Sequence, residues 1–197
     1  MRQLLRTAPL LLLLAGAAAL AQTPTCPPVI AALLPKGAAK PSGSYQAQGI
    51  MGMGGGTARL RFAHPCVTET HPARWSVELQ HYEGEGVQLL RMQVDGYEQQ
   101  VLQNERGQAQ RRPAKTPVRE ESLAGGRVIL TERSRPCPAD MPGVKNPAAV
   151  PIPMVRLVGV AHTESTRITL TIEGDLSAEA ALAAARETFE QLAKLKF

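Results

Sequence analysis

Two β-rich runs near the C-terminus constrain the fold more than any other feature. Residues 154–162 (MVRLVGVAH) and 167–173 (RITLTIE) flank the polar linker Thr163-Glu164-Ser165-Thr166. Runs of this composition separated by a short polar turn read as a hairpin, and a hairpin makes its strands antiparallel. A helix signal follows at once. Ser177 is a favoured N-cap residue, and Leu182, Ala185, Phe189 and Leu192 fall on one helical face. Glu179 near the start, with Lys194 and Lys196 near the end, suits the helix dipole. A helix over about 177–195 is expected to lie on one face of the sheet.

The rest of the chain extends this pattern. Val118 to Leu123 and Arg127 to Arg133 flank Ala124-Gly125-Gly126, which reads as a second hairpin. Thr57 to Phe62 and Trp75 to Tyr82 alternate like half-buried strands, with Trp75, Val77 and Leu79 on one face. Residues 86–103 are ambiguous. Val87, Leu90, Val94, Tyr97 and Val101 recur at helical spacing, whereas Asp95-Gly96 suits a two-residue hairpin turn. The helix is favoured because the stripe lasts four turns, although Gly96 inside it costs about 1 kcal/mol. Residues 104–117 are polar and basic and read as an exposed loop. The proline-rich stretch 135–153 can be neither helix nor interior strand. The class is therefore α+β: an antiparallel sheet built largely from hairpins, with a C-terminal helix packed on one face.

Residues 1–21 (MRQLLRTAPLLLLLAGAAALA) carry a short positive region, an apolar stretch and the small-x-small site Ala19-Leu20-Ala21. This is the pattern of a cleaved export signal. The apolar run is too short for a stable transmembrane anchor, and Pro24, Pro27 and Pro28 stop a helix from continuing. The expected organisation is a signal peptide over 1–21, an N-terminal segment with a short helix over 22–47, and a single α+β domain over 48–197. The chain is expected in the periplasm or secreted.

Composition narrows function mainly by exclusion. Hydrophobic residues make up 44% of the chain, enough for a core, and the net charge is only +5. Six basic residues between positions 106 and 127 (Arg106, Arg111, Arg112, Lys115, Arg119 and Arg127) are interleaved with Glu105, Glu120 and Glu121 and have no aromatic among them. That is a solvated surface rather than a nucleic-acid patch. The glycine run at 49–56 (GIMGMGGG) has no lysine near it and fails both the phosphate-loop and the dinucleotide spacings. It reads as a surface loop ahead of a strand. No G-x-S-x-G elbow, S-x-x-K pair or H-E-x-x-H motif occurs, so no catalytic constellation is visible.

Two readings of function follow. The first is an exported non-catalytic module that needs no cofactor and binds an unknown protein, ligand or envelope partner. The alternative is a soft-metal, copper-binding protein using Met51, Met53, His64, Cys66 and His71, because thioether, imidazole and thiolate together suit copper. The cysteines favour the first. In an exported chain a thiol more often sits in a disulfide than on a metal. Cys66 and Cys137 each follow a predicted strand, so strand ends at one rim could bring them together. That pairing would leave Cys26, in the proline-rich N-terminal segment, as the odd thiol; Cys26–Cys66 and Cys26–Cys137 are the alternative pairings.

Overall fold

The structure is a computed structural model and describes residues 26–64, 66, 70–111, 116–137 and 151–197. The segment read as an export signal and most of the proline-rich stretch, residues 138–150, lie outside the described residues. Among the described residues seven strands form one sheet: β1 (Ser42–Gln48), β2 (Met51–Phe62), β3 (His71–Tyr82), β4 (Val118–Leu123), β5 (Gly126–Arg135), β6 (Ile152–His162) and β7 (Thr166–Gly174). Their spatial order is β1-β2-β3-β7-β6-β5-β4, and every neighbouring pair is antiparallel. The sheet is thus two meanders, β1–β3 and β4–β7, joined where β3 pairs with β7. The described residues also form three helices: α1 (Pro28–Ala31), α2 (Gly86–Gln110) and α3 (Ala178–Leu192). The α+β class, the hairpins and the packed C-terminal helix all agree with the sequence reading. No helix among the described residues is long and apolar enough to cross a membrane.

The main core lies between one sheet face and α3. Alternate residues Trp75, Val77 and Leu79 of β3, Leu157 of β6 and Ile168, Leu170 and Ile172 of β7 point into it. They meet Leu182, Ala185, Phe189 and Leu192 of α3, the face expected from helical spacing. Ser177 caps α3 by accepting from the Ala180 amide at 3.2 Å. The helix ends at Leu192, so Lys194 and Lys196 lie beyond its last turn rather than within it. The buried Trp75 indole donates to Thr188 Oγ1 at 3.1 Å, which locks α3 to the central strand.

Helix α2 covers part of the opposite face. Leu90 and Val94 cluster with Tyr82, and Leu102 with Ile129 and Val158. Tyr97 Oη lies 2.8 Å from Thr169 Oγ1, and the Arg167 guanidinium stacks over the Tyr97 ring at 3.5 Å. The helix runs nine residues beyond Val101, the last residue of the stripe that announced it, to Gln110. The segment read as a loop thus begins as helix, because Glu105 occupies a core-facing position. Its buried carboxylate accepts from Arg156 Nε at 2.8 Å and Nη2 at 3.2 Å.

The glycine run is not a loop. Residues 51–56 are part of β2, in register with both β1 and β3. Gly52, Gly54 and Gly56 face the side of the sheet that carries α1. A Cβ on Gly56 would stand 2.3 Å from Ile30 Cγ2, and one on Gly52 would stand 2.1 Å from Tyr45 Oη. The missing side chains make the slot that the Tyr45 ring and Ile30 fill, so an aromatic and an aliphatic from neighbouring elements supply the packing. Gly56→Val is therefore expected to push α1 off the sheet and cost about 1–3 kcal/mol. Urea unfolding would measure this, and an unchanged midpoint would show that Ile30 does not fill the slot.

Candidate ligand-binding face

Helix α2 crosses its face diagonally and leaves a corner of β1, β2, β3 and β7 uncovered. Strand alternation sends the polar residues of these strands to that corner, since their immediate neighbours in the chain point to the core. Register then aligns them. Ser42 pairs with Thr57, Thr57 with Ser76, and Ser76 with Thr171. Four hydroxyl side chains therefore stand in one row across four strands, over roughly 14 Å at the usual strand spacing. Ser42 Oγ and Thr57 Oγ1 are 3.1 Å apart. A shallow hollow of about 400 Å³ lies over this row, and Thr169, anchored by Tyr97, forms its boundary toward α2. Gly55 in its floor keeps the middle of the hollow low.

A second row runs beside the first. Arg59 pairs with Arg74, Arg74 with Glu173, and Glu173 with Arg156. The charges along it are unevenly matched. Arg156 takes two carboxylates, those of Glu105 and Glu173. Its guanidinium is consequently held even more firmly protonated, the Glu105 hydrogen bond being the main cause. Arg59 and Arg74 are exposed and meet no acidic partner among the described residues, and the same holds for Arg61 further along β2. Like charges directly opposite on neighbouring strands disfavour the sheet. A second hollow of about 590 Å³ lies over this pair and adds Lys40 to its lining. The two hollows share Ser42, Thr57 and Arg74, so they form one groove. Its other end holds Glu78, which makes the groove electropositive at one end only.

Other charged residues singled out in the sequence are accounted for differently. In the basic stretch, Arg106 and Arg127 pair with Glu120, Arg127 also with Glu98, and Arg119 with Glu121. The charges named here are paired on the surface; Arg112 and Lys115 lie outside the described residues.

The soft-metal residues are not brought together. Met51 pairs with Tyr82 at one end of the β2–β3 ribbon, and His71 pairs with Phe62 at the other. Eleven residues of strand separate these ends by about 35 Å. Met51 packs against the Tyr82 cluster, and Met53 is exposed. His64 Nδ1 accepts from the Cys66 amide at 3.1 Å. Among the described residues no group of three or more His, Cys, Asp or Glu side chains is placed to hold a metal ion.

The predicted cysteine pair does come together. Cys66 and Cys137 stand at disulfide distance with their Cα atoms 5.9 Å apart, buried against Ile152. Cys26 is half-buried, and desolvation raises its thiol pKa. On the same rim, Asp175 binds His71 Nδ1 at 2.9 Å and Arg135 Nη2 at 2.8 Å. A His–Asp pair can serve a nucleophile. Here the shared arginine makes it a tie between the start of β3 and the end of β5.

One histidine is a pH probe. His81 is buried, bonded to Thr166 Oγ1 at 2.9 Å and stacked on Phe197 at 3.7 Å between ring centroids. Burial lowers its pKa below the ordinary 6.5, with Glu83 pulling weakly the other way. A depressed folded pKa contributes stability above about 6.5 that is lost as pH falls through the folded value. Urea unfolding at pH 7.5 and pH 5 should show the lower stability at pH 5. The difference should shrink in His81→Gln, and an equal difference in both proteins would assign it elsewhere.

No protein-family model, curated protein or solved structure matches this chain. The groove is therefore read from its own chemistry. It was not singled out in the sequence. Its signal is the outward half of each alternating strand, Thr57-x-Arg59-x-Arg61 and Arg74-x-Ser76-x-Glu78, where attention falls on the apolar half instead.

Proposed function

We propose that the chain is an exported, non-catalytic module that binds its partner through the groove on the open sheet face. The observation that carries this reading is the pair Arg59 and Arg74, held in register and in no ion pair among the described residues, beside a row of four hydroxyls, while the carboxylate opposite Arg74, Glu173, pairs with Arg156. A surface arranged only for solubility intersperses charges of both signs. Two further features support export. The pattern of residues 1–21 is that of a cleaved signal, and the buried Cys66–Cys137 pair suits an oxidising compartment. Catalysis is set aside because the groove's lining pairs no nucleophile with a histidine base.

Two measurements test the reading. The exported protein should have the mass expected after loss of residues 1–21; a full-length mass would mean that the signal is retained as an anchor. Backbone amide shifts should be followed while vesicles of phosphatidylglycerol and phosphatidylethanolamine, soluble peptidoglycan fragments and soluble polysaccharides are titrated in. Shifts confined to the groove residues of β1, β2, β3 and β7 support the proposal. Shifts centred elsewhere, or chemical turnover of any probe, overturn it.

A further inference from the structure

The chemistry of the groove also indicates what class of ligand it takes, provided the face is a binding surface at all. We infer that its ligand is an acidic polysaccharide, a sugar chain carrying oxyanion groups.

Four observations converge on this class. The unmatched guanidinium groups of Arg59 and Arg74 call for an anion, and a guanidinium presents paired donors that match the two oxygens of a carboxylate. Glu173 is the nearest carboxylate in register, and it turns to Arg156 instead, so the protein leaves this charge for something external. The adjoining row of Ser42, Thr57, Ser76 and Thr171 offers hydroxyl oxygens that can accept; one donor of the bonded Ser42–Thr57 pair and the Thr171 hydroxyl remain to donate, while Ser76 donates to the Thr171 carbonyl at 3.5 Å, a mixed set that suits a polyol better than a bare ion. The groove is also open and continuous from Lys40 to Thr169, which fits a chain lying across it rather than a small molecule enclosed by it.

What the lining lacks decides against the competitors. No Trp, Tyr or Phe lines either hollow, and the one tryptophan is buried in the core. Single-stranded nucleic acids depend on stacking platforms of that kind. A lipid chain needs an apolar slot, and this groove has a polar floor. The charge gradient also orients the ligand. Its oxyanion belongs over Arg59 and Arg74, with neutral hydroxyl-bearing units extending toward Glu78.

Titration calorimetry of the mature chain at fixed salt tests this with defined probes: polygalacturonate, dextran sulfate, neutral dextran, polyglutamate and double-stranded DNA. The acidic polysaccharides should bind at least about tenfold more tightly than dextran, which lacks the charge, and than polyglutamate, which lacks the sugar. Arg59→Ala with Arg74→Ala should reduce that binding at least tenfold. Ser76→Ala with Thr171→Val should reduce it severalfold, and Glu78→Gln should leave it equal or tighter. All five positions are exposed or half-buried at the surface, so thermal unfolding of each variant serves as the folding control.

Equal binding of polyglutamate or DNA would overturn the inference, because charge alone would then explain it. Equal binding of dextran would overturn it too, since the arginines would have no part. If no polysaccharide binds while vesicles or peptidoglycan fragments still shift the groove amides, the ligand class is wrong and the binding surface stands. If nothing shifts those amides, both fail.

Discussion

Aspartate in place of Phe189 is expected to leave the chain without a cooperative fold at ordinary temperature. Phe189 is 2% exposed and sits where α3 meets the sheet. Its ring tip lies so close to Gly159 of β6 that a Cβ there would stand only 2.9 Å from Cζ. The glycine is what lets the ring reach the sheet. Removing a buried phenylalanine alone costs about 3–5 kcal/mol. A carboxylate in its place also loses its hydration with no cation nearby, or must be protonated to stay buried. The sum rivals the whole stability of an ordinary domain, about 5–15 kcal/mol. Circular dichroism through a thermal ramp would show it. A transition within a few degrees of the parent would place Phe189 in solvent and dissolve the α3–sheet interface described above.

The second large effect concerns Cys66 and Cys137. With the bond formed, it closes a loop of 71 residues. In the chain-entropy model such a loop is worth about 4 kcal/mol, less any strain. Both sulfurs are buried in a small cluster with Ile152, so the thiols gain no hydration when reduced in the folded state. Cys66→Ser with Cys137→Ser is therefore expected to lower stability by several kcal/mol, measured by urea unfolding without reductant. Thiol titration of the unfolded, unreduced protein should find one reactive group, Cys26. Three thiols, or a crosslinked peptide containing Cys26, would defeat the pairing.

The elements that were readable in the sequence are those whose pattern is local. Residues 166–174 alternate because one face of β7 packs into the core under α3 while Thr169 and Thr171 on the other face line the open groove, and that alternation survives in the composition. Ser177 and the Leu182–Phe189 face needed nothing beyond the helix itself to be recognised. Helix α2 was visible only as far as Val101. Its last two turns place Glu105 where a hydrophobic residue is expected, and the partner that satisfies it, Arg156, is 51 residues away in β6. A buried carboxylate looks like a loop residue until its cation is known.

The glycine strand illustrates the same limit from the other side. Gly52, Gly54 and Gly56 carry no side chains whose alternation could be read, and their packing comes from Tyr45 and Ile30. The strand exists because other elements fill it.

By itself, then, the sequence determined the antiparallel hairpins, the capped C-terminal helix and the class of the fold. These follow from local periodicity and turn chemistry, which act over a few residues. Only the tertiary structure decided that β3 lies beside β7, because that pairing joins segments about ninety residues apart along the chain. The candidate site depends on that junction. It sets Ser76 against Thr171, aligns Arg74 with a glutamate already claimed by Arg156, and so leaves two arginines facing an open groove.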